Sequence, residues 1–480
     1  MLKNNNNLSN NIFDKDKNFD INVYTPTMQD IVSLCKRRGI VFMGSEIYGG
    51  LANTYDLGPL GVLMLKNIQD NWWKNFVTKR FNMYGLDSSI LMSSKVWEAS
   101  GHTTSFSDVL IDCKECKTRT RADHLIENYY ENNQNVLKSF VDGKTPQELN
   151  EIINKYKIPC EICGKFNFTN PRRFNLLFET NMGILEGDKS KVFLRGEIAQ
   201  GMFINFKNVV DTMRPKLPFG IAQYGKAFRN EITLGNFIFR NAEFNLAEFE
   251  YFFDPNKDDW LKIYEYWQTQ MENWIISLGI SRNNISWREH GDDERAHYSK
   301  MTKDLDYKFA FGKKEMFGLA YRTDYDLKNH YLKSNIDLRF VDPNTNQKIL
   351  PHVIEPTFGI NRVLLALLNE SYVKEDDRVV LKLHKDIAPF KFAVFPLVKN
   401  KPQLVQKAKQ VFEHLVDLGI SVSWDDRGNI GKRYYSQDEI GTPFCITIDY
   451  QTLEDNLVTI RDRDTTKQQR ISIDNILKYS

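Results

Sequence analysis

The chain has 480 residues, 41% apolar and 26% charged, an ordinary globular composition long enough for two or three domains. A net charge of +2 sets up no global field, so a nucleic-acid partner would have to be met by local patches. No apolar run approaches the roughly 18 residues that span a membrane.

The first stretch, MLKNNNNLSNN, lacks the apolar centre of a secretory signal. Residues 1–25, polar and Asn-rich, are expected to form a disordered extension. MQDIVSLCKRRG predicts an amphipathic helix from Met28, and residues 58–77 a second one opened by Pro59. Residues 109–170 read as an insertion that carries cysteine pairs at its ends and a charged helical stretch between them. From Lys191 aromatic and branched residues alternate through VFLRGEIAQGMFINF, FGIAQYGKAFRNEI and NFIFRNAEFNLAEFEYFF. That pattern predicts strands with one intervening helix. A helix is expected over 258–278, strands at KFAFG, EMFGLAYRTDYD and IDLRFVD, and a helix over 358–372 opened by Gly359. Pro389 breaks the chain in HKDIAPFK. A strand, helix, strand, helix, strand and hairpin follow, which is the alternation of a small α/β domain.

The densest chemistry lies in FRNEITLGNFIFRNAEF, residues 228–244. Read as a hairpin, it puts Arg229 and Glu231 on one face of a strand, and Arg240, Ala242, Phe244, Leu246, Glu248 and Glu250 on one face of the returning strand. Leu234-Gly235-Asn236 supplies the turn, with Gly235 free to take positive φ. Guanidiniums suit phosphate oxygens, an aromatic face stacks a purine, and a glutamate holds a bound cation. The bland alternative is a solvated strand with cross-strand ion pairs.

FRNE, a loop and then Arg240, Phe244 and Glu248 at four-residue spacing resemble motif 2 of the class II aminoacyl-tRNA synthetases. TFGINR, with Gly359 and Arg362 opening a helix, is similar to their motif 3. Further stretches resemble the dimeric, single-subunit glycyl-tRNA synthetase branch: SEIYGGLANTYDLGPLG, WEASGHTTSFSD, FLRGEIAQGMFINFKN, LPFGIAQYGKAFRNEI, RTDYDLKNH, LPHVIEPTFGINR and DDRGNIGKRYYSQDEIGTPFCITID. The resemblance covers roughly residues 28–475, and long co-ordered segments are far more specific than one motif.

The resemblance implies an α+β fold, with a class II catalytic domain on a mainly antiparallel sheet over 26–385 and a C-terminal α/β anticodon-binding domain over 386–480. It implies ATP-dependent ligation of glycine to tRNA(Gly) through glycyl-adenylate, with Mg²⁺, in a cytoplasmic homodimer without a membrane partner. Arg229, Glu231 and Arg362 would be the catalytic residues, with Arg229 on the α-phosphate and Arg362 on the terminal phosphate. Arg229, Asn230 and Glu231, then Phe239, Arg240, Asn241, Ala242, Glu243 and Phe244, then Glu315 and Met316, would line the ATP site. Gly359, Ile360, Asn361 and Arg362 would complete it, and Phe244 would stack the adenine. Glycine would be held by Arg121, Glu197 and the run Phe244, Asn245, Leu246, Ala247 and Glu248. Glu355, Pro356, Thr357, Phe358 and Gly359 would close its pocket, with Glu197, Glu248 and Glu355 taking the ammonium.

Five positions depart from the family's usual residues: Gly196 where a proline is usual, Ile198 for a threonine, Ala242 for an arginine, Thr357 for a serine and Asn361 for an aspartate. They motivate a second reading, a catalytically impaired synthetase-like protein that binds RNA or a partner. Cys113-x-x-Cys116 and Cys160-x-x-Cys163 can close a tetrahedral zinc site, with Gly164 as a knuckle turn. The alternative is four reduced, unliganded cysteines. Cys35 and Cys445 read as core residues. Glu294 and His297 have the spacing of carboxylate metal sites but no second copy. His290 and His297 are expected to be structural or to make contacts near the site. Lys432, Arg433, Tyr434 and Tyr435, with Arg461 and Arg463, offer cations and rings to an anticodon loop, or else form a solvated face.

Overall fold

A computed structural model describes residues 24–132, 141, 144–183, 190–231, 235–291, 298–375 and 378–479. Most of the extension expected over 1–25, and both Glu294 and His297, lie outside them. Helix α1 (Met28–Arg38) starts at a Thr27–Asp30 capping box, and α2 (Pro59–Trp73) starts on its proline, where the missing N–H costs nothing. After strand β1 (Met83–Gly85) the chain makes the insertion. Two short helices follow, α3 (Ala199–Ile204) and α4 (Phe206–Met213), where the aromatic pattern suggested a single helix.

The catalytic sheet continues with β2 (Phe219–Phe228) and β3 (Glu243–Phe253), helix α5 (Trp260–Ser277), β4 (Ile285–Glu289), β5 (Met301–Phe309) and β6 (Gly312–Thr323). Helix α6 (Tyr325–Ser334), β7 (His352–Gly359) and α7 (Ile360–Ser371) complete it. The strand order is β4-β5-β6-β7-β3-β2-β1, antiparallel throughout except for the β2–β1 pair.

Side-chain alternation splits the sheet into two faces. Ala247, Phe249, Phe253, Phe317 and Phe358 turn toward α2, α5 and α7, where Trp72, Trp267 and Trp274 fill one large core. At the far end of the other face, Phe252 and Phe219 pack on Phe203 and Phe206 from α3 and α4. Between that cluster and the ends of the strands, the second face carries the polar groups.

A second sheet follows the 382–391 segment. It contains β8 (Phe392–Pro396), β9 (Val422–Trp424), β10 (Phe444–Ile448), β11 (Leu457–Asp462) and β12 (Gln468–Ser472) in the order β9-β8-β10-β11-β12. Its first three strands are parallel and its last three form antiparallel pairs. Among the described residues no helix is long and apolar enough to cross a membrane.

Candidate active site

The strands of the arginine-rich hairpin are shorter than alternation suggests. β2 stops at Phe228 and β3 begins at Glu243. Arg229 N–H makes one more rung, to Ala242 O at 2.9 Å; Glu231 N–H then turns back to Arg229 O at 2.7 Å and the ladder ends. Arg229, Glu231 and Arg240 therefore sit on a loop, and a turn of 3-10 helix (Phe237–Phe239) carries the return. Gly235 does take positive φ, and so does Asn236. Asn53 anchors the loop: its Nδ2 donates to Glu231 O at 3.1 Å, and its carbonyl accepts from Ala242 N–H at 2.8 Å.

The loop closes one side of a cavity at the ends of β2, β3, β6 and β7. Arg229, Glu231, Phe239, Arg240, Asn241, Phe244, Asn245, Leu246, Glu315, Met316, Thr357, Gly359, Asn361 and Arg362 line it. The Arg229 guanidinium lies between two rings, 5.1 Å from the Phe106 centroid and 5.3 Å from that of Phe244. Its Nε donates to Gly196 O at 3.0 Å, and among the described residues its terminal nitrogens make no hydrogen bond. Arg362 stacks 4.5 Å from the Phe239 centroid and donates Nη1 to Glu315 O at 3.0 Å. Arg240 lies 3.9 Å from Glu231. Three guanidiniums, two rings and two carboxylates around one cavity complement a planar base, a polyanion and its cation.

Farther along the same sheet face lies a buried charge cluster. Arg322 is 1% exposed and donates to both oxygens of Asp326, at 2.7 and 2.9 Å, and to Glu355 at 2.5 Å. Its guanidinium sits 3.8 Å from the centroid of the Tyr298 ring. Glu197 accepts from Gln200 at 2.9 Å and lies 3.2 Å from His102. Burial alone would raise the Glu197 carboxyl, but His102 and Arg322 outweigh it and hold the group below the usual carboxylate range. Thr357 Oγ1 donates to Glu355 at 3.2 Å. Glu248 is different. Its Oε2 is buried with no hydrogen-bond partner among the described residues, and burial, Glu355 and Glu197 push its carboxyl well above the usual range. A buried acceptor without a donor beside other carboxylates calls for a compact cation with several N–H groups. Gly225, opposite Leu246, leaves room for the Arg195 guanidinium, whose Nη lies 2.4 Å from where a Cβ would stand.

Other site residues named from the sequence fall outside the cavity lining. Ala247, Phe358 and Ile360 belong to the core on the opposite side, and Pro356 alternates onto that side between Glu355 and Thr357. Glu243 is exposed and pairs with Lys226. Asn230 N–H donates to Leu176 O at 2.8 Å, a contact with the base of the insertion. Arg121 is held by Asp108 at 3.0 Å and by Asp123, on the side of the cavity where Glu231 and Arg240 lie. Sequence reasoning passed over Arg322, Asp326, His102 and Gln200, although each lies in a quoted stretch. The signal was the burial of charge, which no spacing reveals. His290 is bonded to Asp304 at 2.7 Å.

The unusual residues fit their surroundings. Ile198 is fully buried with Ala227 and Leu246 beneath Phe244. A Cβ on Gly196 would meet the side-chain ends of Leu177 and Phe106 at 2.9 and 3.0 Å, so the glycine lets these two side chains approach the backbone closely. Asn361 keeps its oxygen on Asn245.

In the C-terminal domain four of the six residues named for RNA are structural. Arg433 is buried and donates to the carbonyls of Pro396, Asp426, Arg427 and Gly428. Arg461 forks onto Asp438 at 2.8 and 3.0 Å and covers the Tyr434 ring, whose hydroxyl is bonded to Thr447. Arg463 donates to Gly441 O and pairs with Asp464. Only Lys432 and Tyr435 are exposed. A guanidinium satisfies several carbonyls at once, so these arginines hold the helix Ile430–Ile440 to the sheet.

The insertion brings its cysteines together. The four Sγ atoms lie within 4.8 Å of one another, with Cys113–Cys163 at 3.7 Å and Cys116–Cys160 at 3.6 Å. A tetrahedron with Zn–S of ~2.3 Å has edges of ~3.8 Å. Both knuckles close alike: Gly164 N–H reaches Cys160 O at 2.8 Å and Lys117 N–H reaches Cys113 O at 3.0 Å, each from positive φ. Cys35 and Cys445 are buried core thiols.

Residues 184–371 match the tRNA synthetase class II core domain (G, H, P, S and T), and 391–479 match the anticodon binding domain. The chain is 51% identical over 458 residues to the glycine--tRNA ligase of Clostridium tetani (strain Massachusetts / E88), covering 94% of this chain and 97% of the relative. It is 50% identical over 457 residues to that of Caldanaerobacter subterraneus subsp. tengcongensis, with the same coverage of each. It is also 50% identical over 459 residues to that of Acetivibrio thermocellus, again covering 94% and 97%. With its cavity, its carboxylate pocket and these relatives, the chain belongs to the glycine--tRNA ligase family of class II tRNA synthetases.

Proposed function

We propose that this chain activates glycine with ATP and transfers it to tRNA(Gly). The observation that carries the reading is the adjacency, on one sheet face, of a cavity with three guanidiniums and a pocket with an unsatisfied carboxylate. The glycine carboxylate attacks the α-phosphorus of ATP and pyrophosphate leaves. The glycyl group then passes to the terminal ribose. The first step needs in-line placement and charge neutralisation more than a side-chain base. Arg229 neutralises the α-phosphate, Phe244 stacks the adenine and Arg362 holds the terminal phosphate. Glu231 and Glu315 would hold Mg²⁺, which would add charge neutralisation on the phosphates. Glu248, Glu355 and Glu197 take the ammonium, and the stiff wall formed by Thr357 and the Arg322 cluster excludes larger side chains.

The four thiolates hold one structural zinc, supported by sulfur separations that fit a tetrahedron. The chain works as a homodimer in a reducing cytoplasm. Support for pairing is the apolar surface just before β1, where Phe81 is 97% exposed.

ATP–pyrophosphate exchange with glycine, alanine, serine and no amino acid tests the reading. Exchange with glycine alone is expected. Exchange with none, from folded protein, overturns it in favour of an RNA-binding protein without catalysis.

A further inference from the structure

Glu248 and Glu250 are two apart on β3 and share a face. Both carboxyls are buried, Glu250 completely. Glu248 Oε2 and both oxygens of Glu250 have no hydrogen-bond partner among the described residues. The β3–β7 register, Glu248 against Thr357 and Tyr251 against Ile354, sets Glu250 directly opposite Glu355. Pro356 has no N–H to give to the ladder between them.

Among the described residues few cations face this group. From β6 comes Arg322, already committed to Asp326 and Glu355. From the end of β2 comes Arg229, whose Nε is taken by Gly196, and against Gly225 lies Arg195, which acts electrostatically on Glu248 but is committed to the carbonyls of Lys226 and Ser88. The loop before α3 adds Glu197 with His102, α6 adds Asp326, and the His330 ring is bonded to Gln200. β2 offers the neutral Gln223 opposite Glu248, and Tyr298 covers Arg322. Five carboxyls thus face three guanidiniums among the described residues, each already committed in part. Carboxyls opposed across a ladder in a dry site cannot all be ionised.

We propose that glycine enters this pocket in exchange for a proton: its ammonium takes the place of the proton on Glu248, which goes to solvent, while Glu250 keeps its own proton opposite Glu355. This rests on the glycine reading above. The bound state holds one proton fewer, so glycine affinity rises with pH, by up to about tenfold per unit, until Glu248 is ionised in the free protein.

The test is calorimetric titration of glycine into the full chain saturated with Mg²⁺ and α,β-methylene-ATP. It is run at one pH in phosphate and in Tris, whose ionisation heats differ. The same preparation is assayed for glycine-dependent pyrophosphate exchange. Heats that differ by the buffers' ionisation heats, with a proton released per glycine, are expected. Glu250→Gln mimics the protonated carboxyl and should keep both the release and a glycine KM within about twofold of the parent. Equal heats in the two buffers overturn the inference and leave the glycine reading intact. Loss of release in Glu250→Gln also overturns it, because the proton then belongs to Glu250. Absence of glycine-dependent exchange, by contrast, removes the glycine reading on which the inference rests.

Discussion

Asn361 Oδ1 accepts two hydrogen bonds from Asn245, one from the backbone N–H at 2.8 Å and one from the side-chain amide at 3.1 Å. An acceptor, not a charge, joins α7 to β3 at the cavity wall. Asn361→Asp should therefore leave exchange within about threefold of the parent. Asn361→Leu strands a part-buried N–H, a loss of ~1–3 kcal/mol, and should raise the KM for ATP roughly tenfold. Initial-rate kinetics with ATP varied would check both, and an inert leucine variant contradicts the assignment.

Glu248 separates stability from activity. Burial, together with Glu355 and Glu197, raises its carboxyl in the folded chain. Folding then binds a proton that the unfolded chain loses above about pH 4.3. Stability falls as pH rises from there through the raised value, because the folded state holds more protons than the unfolded one. Glu248→Gln removes the ionisable group. It should melt higher than the parent at neutral pH, with the difference vanishing near about pH 4, while glycine-dependent exchange drops by about 100-fold or more. Melting curves across pH, read beside exchange rates, decide whether the two effects part in this way.

Arg362 combines a flat contact on Phe239 with a bond to Glu315 O. Lysine keeps the charge but loses the plane and the fork. Arg362→Lys should cost roughly 10- to 100-fold in kcat/KM for ATP with little change in melting temperature. A variant at parental rates would mean that charge alone suffices there.

Arg433 tests the reassignment in the C-terminal domain. Its guanidinium serves four carbonyls. Arg433→Ala should destabilise the chain by about 3 kcal/mol or more, since each buried carbonyl left bare costs ~1–3 kcal/mol. Lys432→Ala should leave melting unchanged. Chemical denaturation followed by tryptophan fluorescence would distinguish them.

The cysteine cluster predicts metal. The purified chain should carry one zinc per chain by elemental analysis. Cys160→Ala should remove it and lower melting of the insertion, where the helices 122–132 and 146–156 pack on a small core of their own. Parental stability without metal would show that this core is sufficient.

Much of the molecule could be read from the sequence by itself. The capped helix at Met28, Pro59 opening α2, the helix after Gly359 and the α/β alternation beyond Pro389 are local, set by caps, breakers and periodicity over a few residues. So was the presence of motif arginines and paired cysteines, because those residue types carry their chemistry wherever the chain puts them. What only the tertiary structure decided is where charges end up. Arg433 and Arg461 looked like RNA contacts and are buried clamps, because a carbonyl or Asp438 waits for them on another element. Arg229 and Arg240 looked like strand residues and lie on a loop, because Asn53, some 180 positions away, takes over the hydrogen bonds of Glu231 and Ala242. Glu250 looked like one more strand carboxylate and stands opposite Glu355 with no hydrogen-bond partner among the described residues, a relation fixed by register between strands a hundred residues apart. Periodicity specifies which face a side chain takes, while burial and partnership come from non-local packing, and those decide whether a charge is solvated, clamped or held ready for a ligand.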